Sequence, residues 1–69
     1  MTRLRKLGQN IKKFREQKQW SQEFLAEKIN FSREYISHIE RGQKHISLRK
    51  LFLLADILEV KICNLINFD

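Results

Sequence analysis

Residues 21–42 read SQEFLAEKINFSREYISHIERG, and the rest of the chain falls into place around them. Ser21 is a good N-cap, and Leu25, Ala26 and Ile29 recur at helical spacing as a buried side. Ala26 is small, as suits two helices that approach closely. Asn30 follows, and asparagine is well suited to the left-handed conformation that turns a chain sharply. Phe31 plugs the turn and Ser32 caps a further helix. Ile36 and Ile39 face inward on that helix, and Gly42 ends it at an αL position. Two short helices joined by a three-to-four-residue turn make a helix-turn-helix.

Upstream, Leu4, Leu7, Ile11 and Phe14 mark one face of a first helix over about residues 3–18. Gly8 lies inside that pattern at a cost of ~1 kcal/mol relative to alanine, so another helix is expected to pack closely against it. Downstream, residues 43–46 form a short basic loop and Ser47 caps a fourth helix. Leu48, Leu51, Leu54, Ala55 and Leu58 are its expected core stripe, with Val60 just beyond. A fifth helix over about residues 61–66 completes an all-α fold. The absence of proline and the presence of only two glycines agree with it.

At 69 residues the chain reads as one domain, 1–69, near the lower limit for folding on a single core. Its charge of +6 is unevenly placed, with 13 lysines and arginines against five acids in residues 1–50, and one lysine against three acids after that. A basic front and an apolar, mildly acidic tail suggest a polyanion-facing side and a separate packing side. Cys63 is the only cysteine, so neither an intramolecular disulfide nor a cysteine cluster for zinc is expected. Arg3, Arg5 and Lys6 are not followed by the apolar stretch of a signal peptide. Nothing approaches the length of a membrane span. A soluble, cytoplasmic protein is expected, with no membrane, cofactor or metal; His38 and His45 stand apart from other ligand types.

Reading DNA requires a helix with an exposed start and an anchored back. Ile36 and Ile39 would anchor the third helix and leave Arg33, Glu34, Ser37 and His38 outside. Arg33 suits guanine O6 and N7, Glu34 suits cytosine N4, and Ser37 or His38 suits several base edges. Backbone N–H groups at the helix starts, with Gln22 and Ser32 beside them, suit phosphates. Arg41, Lys44 and His45 lie in or beside the following loop, where a backbone could pass. Tyr35 would pack its ring on the core edge and offer its hydroxyl to a phosphate. Each of these residues is also compatible with a plain solvated surface, and Glu34 suits the first turn through the helix dipole.

The chain resembles the Xre/Cro/C1-type helix-turn-helix family of phage repressors and small bacterial regulators. The matching residues are Ser21-Gln22, Leu25-Ala26, Phe31-Ser32, Tyr35-Ile36-Ser37, Ile39-Glu40-Arg41-Gly42, Ile46-Ser47-Leu48, Leu51, Leu54-Ala55, Leu58 and Val60. They span about residues 8–66. The resemblance implies a compact five-helix lambda-repressor-like DNA-binding domain, dimeric on a palindromic operator, with the motif in helices 2 and 3. Within the family, RxYISxIERG, a basic loop and ISL are most similar to restriction–modification controller proteins. That likeness makes Arg33 the principal base reader and gives Lys44 and His45 to the loop on the DNA backbone. It also implies that Arg15 bridges to Glu40. Two departures stand out: Asn30 replaces the common turn glycine, and Phe24 occupies a usually polar position, where it would stack with Trp20.

The tail carries more apolar surface than one face of each helix needs, unless Phe52 or Leu53 merely enlarges the core. Phe52, Leu53 and Ile57 add to the fourth helix's core stripe, and Ile62, Cys63, Leu65, Ile66 and Phe68 follow. A helix apolar on several sides is normally buried on several sides. A two-fold homodimer is therefore expected through Phe52, Ile57, Ile62, Cys63, Leu65, Ile66 and Phe68, with Cys63 a small interface or core residue. A regulator of transcription, activating or repressing, is the leading expectation. RNA polymerase is a further partner for an activator, with Glu23 and Glu27 among the exposed candidates. An antitoxin-like protein-binding module that represses its own operon, or a phage-type repressor, is the alternative. An enzyme has little support, for no nucleophile triad, carboxylate pair or metal cluster sits at usable spacing.

Overall fold

The computed structural model describes residues 2–68. Five helices, and no strand, occur among them: α1 (Arg3–Gln17), α2 (Gln22–Ile29), α3 (Arg33–Glu40), α4 (Leu48–Leu58) and α5 (Ile62–Leu65). Four begin on a side-chain cap. Thr2, Ser21, Ser32 and Ser47 accept the backbone N–H groups of Arg5, Phe24, Tyr35 and Lys50 respectively. Each cap satisfies a donor that the helix itself leaves unpaired. Lys61, before α5, supplies no such bond, in keeping with a helix of one turn.

Asn30 ends α2 in the left-handed region at φ 61°, and the Phe31 N–H closes the turn on the Ala26 carbonyl at 2.9 Å. Gly42 likewise has φ 72°. The two glycines hold α1 to the end of α3. A methyl group built on Gly8 would lie 2.3 Å from the Ile39 carbonyl oxygen, and one on Gly42 would lie 2.6 Å from the Arg5 Cα. Only hydrogen fits at the α1–α3 crossing, which explains the glycine in mid-helix.

The core is built by Leu7 and Ile11 of α1, Leu25, Ala26 and Ile29 of α2, and Ile36 and Ile39 of α3. Leu51, Leu54, Ala55 and Leu58 of α4 and Leu65 of α5 complete it. Trp20 and Phe24 form the expected satellite cluster, edge to face at 5.2 Å between ring centres. Lys28 covers both rings.

Two expectations are corrected. Leu48 is 65% exposed: it is the first residue of α4, one turn before the stripe meets the other helices, so periodicity alone overextended the core. Leu65, expected at a dimer interface, is wholly buried within the protomer. The Asn10 side chain donates to the Leu65 and Asn67 carbonyls at 2.7 and 3.0 Å and thereby draws α5 inward onto α1. Cys63 is exposed, which leaves the interface, of its two expected places, as the one compatible with this protomer.

Candidate nucleic-acid interface

α3 presents a fixed back and an open front. Ile36 and Ile39 are 1% and 2% exposed, and the back is locked by a buried ion pair. The Arg15 guanidinium donates to both Glu40 carboxylate oxygens, through Nε at 2.7 Å and Nη2 at 3.0 Å. Its third nitrogen donates to the Trp20 carbonyl at 2.7 Å. Hydrogen bonding to Glu40 holds the Arg15 pKa above its ordinary value, against the opposing effect of burial. An acid in the last turn opposes the helix dipole; Arg15 offsets that cost and ties α3 to α1.

Gln22 joins this pair. Its side-chain amide donates to Glu40 Oε1 at 3.0 Å, so the donor expected to face a phosphate is turned inward. Glutamine's length explains the difference, since from the first position of α2 it reaches the carboxylate at the end of α3. Ser32 accepts the Tyr35 N–H, which leaves its own hydroxyl proton available outward.

On the front, Arg33 and Glu34 are exposed, whereas Ser37 and His38 are half-buried. Arg41, Lys44 and His45 are exposed along the end of α3 and its loop. Among the described residues the ion pairs are Arg15–Glu40 and Lys18–Glu59, so Arg33, Arg41 and Lys44 carry uncompensated charge. An open depression of about 500 Å³ beside the loop is lined by Thr2, Arg5, Arg41, Gly42 and Gln43. Arg5 thus joins Arg41 across a long separation in sequence that no local pattern reveals.

Tyr35 packs perpendicular to Phe31 at 5.2 Å between ring centres, as expected of a ring on the core edge. Lys50, which sequence reasoning missed, lies with its Nζ 4.6 Å from the Tyr35 ring centre and 3.5 Å from the hydroxyl. Its only signal in the sequence is its place three residues after the cap Ser47. Among the described residues no cluster of His, Cys, Asp or Glu is arranged to hold a metal ion, and no helix is long and apolar enough to cross a membrane. The surface is one of donors and positive charge, suited to polyanion contact.

Comparison with known proteins points the same way. Residues 11–65 match the helix-turn-helix family. The regulator SinR of Bacillus licheniformis, an HTH-type transcriptional regulator, is 37% identical over 62 residues, which cover 88% of this chain and 56% of SinR. The chain spans about half the length of the first curated relatives it matches. Among solved structures, the restriction–modification controller protein C.AhdI from Aeromonas hydrophila is 37% identical with a TM-score of 0.86, over 90% of this chain and 94% of that one. The controller protein C.Esp1396I, solved as a tetramer with its natural 35-base-pair operator, is 37% identical with a TM-score of 0.83, covering 97% and 88%.

Proposed function

The chain belongs to the helix-turn-helix family, of the Xre/Cro/C1 type, and on that footing we propose that it is a sequence-specific transcriptional regulator. It binds a palindromic operator in double-stranded DNA as a homodimer, in the manner of a restriction–modification controller, and acts in the cytoplasm. One observation carries this reading: α3 is anchored at its back by Ile36, Ile39 and the Arg15–Glu40 pair, while Arg33 and Glu34 stand exposed at its start. Arg33 and Glu34 address base edges, with Ser37 and His38 deeper in the groove. Ser32, Tyr35, Arg41, Lys44 and His45 meet the sugar-phosphate backbone. Gln22 contributes its backbone N–H and stabilises Glu40.

Size supports two copies. The longest extent of the protomer is 28 Å, less than the ~34 Å between successive major grooves on one side of a duplex. Phe52, Leu53, Ile66 and Phe68 leave 37–49% of their surface open, and Ile57 and Ile62 are half-buried beside them. Together with Cys63 they form the proposed two-fold interface, without Leu65. An activating role would add RNA polymerase as a partner, through an exposed acidic patch such as Glu23 and Glu27.

Selection of bound sites from a random DNA pool tests the proposal. An inverted repeat with half-sites about one helical turn apart is expected; recovery of no enriched sequence, or of a single unpaired half-site, contradicts it.

A further inference from the structure

We propose that Lys50 and Tyr35 form a two-donor clamp for a backbone phosphate of bound DNA, reaching from α4 to the flank of α3. The inference rests on the DNA-binding reading above and adds a contact from outside the helix-turn-helix. Both residues occupy the third position of a capped helix. The Tyr35 N–H is held by Ser32 at 3.0 Å, and the Lys50 N–H by Ser47 at 3.2 Å. Their backbones are therefore fixed before any ligand arrives. The lysine Nζ lies 4.6 Å from the Tyr35 ring centre and 5.5 Å from that of Phe31, which stands nearly perpendicular to Tyr35 at 87°.

Donor bookkeeping gives the pair its direction. An ammonium donates and never accepts, so in the 3.5 Å contact the tyrosine oxygen must be the acceptor. The phenolic hydrogen is then free to be donated outward. At 3.5 Å the contact is long, and it uses at most one of the three N–H groups of Lys50. No carboxylate lies within ion-pair distance of Lys50 among the described residues. The half-buried pair thus holds two donors and one positive charge without an anion. A phosphate oxygen, which only accepts and carries negative charge, takes both donors and neutralises the ammonium. Lys50 sits 15 residues from Tyr35 in sequence, so the clamp exists only in the folded chain.

Binding to the selected operator is measured against salt for the full chain and for Lys50→Met, Lys50→Arg, Tyr35→Phe, the Lys50→Met/Tyr35→Phe double variant, and Lys12→Met as a charge-matched change on α1. Melting by circular dichroism checks each fold. Loss of one phosphate contact should flatten the slope of log K against log salt by about 0.9 per protomer, with about a tenfold loss of affinity at low salt. Lys50→Arg should keep the slope. Tyr35→Phe should weaken the unaltered protein but cost nothing further beside Lys50→Met. A single neutral methylphosphonate at the contacted position should reproduce the Lys50→Met effect and abolish any further loss, which separates a DNA phosphate from a free one. An unchanged slope in Lys50→Met, or an equal Tyr35→Phe cost in both backgrounds, overturns the clamp while leaving operator binding intact. Failure of the unaltered chain to bind any DNA overturns the underlying reading and the clamp together.

Discussion

The carboxylate of Glu40, in the last turn of α3, is gripped on both oxygens by Arg15 of α1, with 9% and 2% of the arginine and glutamate side chains exposed. Removing one member of such a pair leaves a charge buried without its partner, at a cost of about 3–5 kcal/mol. A core in a chain of this size rarely supplies more than ~3–5 kcal/mol in all. Glu40→Ala is therefore expected to be largely unfolded at 25 °C. Urea denaturation followed by circular dichroism checks this; a loss under 1 kcal/mol would show the pair to be dispensable.

Gly8→Ala is expected to destabilise despite alanine's better helix propensity. The new methyl group would meet the Ile39 and Glu40 carbonyl oxygens at 2.3 and 2.5 Å, and those are backbone atoms of the neighbouring helix. Overpacking costs about 1–3 kcal/mol and propensity returns about 1, so a net loss approaching 2 kcal/mol should appear in the same denaturation experiment.

Arg33 stands on the open face of α3 with no ion-pair partner among the described residues. Arg33→Ala should leave the melting temperature unchanged and reduce operator discrimination by about 1–3 kcal/mol. Competition between the selected site and single-base variants measures it, and full discrimination in the variant would remove Arg33 from the list of base readers.

Leu65 and Phe52 should fail in different ways. Leu65 is fully buried inside the protomer and Phe52 is 49% exposed. Leu65→Ala should lower monomer stability by about 2–5 kcal/mol. Phe52→Asp should leave the fold intact and shift sedimentation from dimer to monomer. A Phe52→Asp protein that remains dimeric at low micromolar concentration would move the interface elsewhere.

Glu59 bridges to Lys18 at 2.6 Å. That hydrogen bond, followed by the lysine charge, holds its carboxyl below the ordinary value of 4.5. A folded-state pKa below the unfolded one stabilises above the unfolded value, and the benefit is lost as pH falls through the folded value. Glu59→Gln should therefore melt slightly lower than the unaltered chain near neutral pH, with the gap closing in acid. A gap independent of pH would assign the effect to packing.

The helices and their caps were legible because local chemistry dictates them: Ser21, Ser32 and Ser47 cap, and Asn30 and Gly42 turn left-handed, as their residue types require. Periodicity could not say where a stripe outruns its neighbours, so Leu48 was expected inside. Nor could it tell a core residue from an interface residue in an apolar tail, because Leu65 and Ile66 look alike until Asn10 pulls one carbonyl inward. At the candidate site, Arg33 and Glu34 could be read from their place on a capped helix. The roles of Gln22 and Lys50 could not, since each depends on a partner brought near only by tertiary packing.

Asn10 and Arg15 make α1 a common strut, the first grasping the end of α5 and the second the end of α3. If the proposed interface holds its two copies as firmly as these bonds hold each protomer, the two reading heads are set at a fixed separation. Adding one base pair between half-sites rotates them by about 35° around the duplex. A protein braced in this way must bend or unwind the DNA to follow, so spacing itself becomes part of what the operator spells.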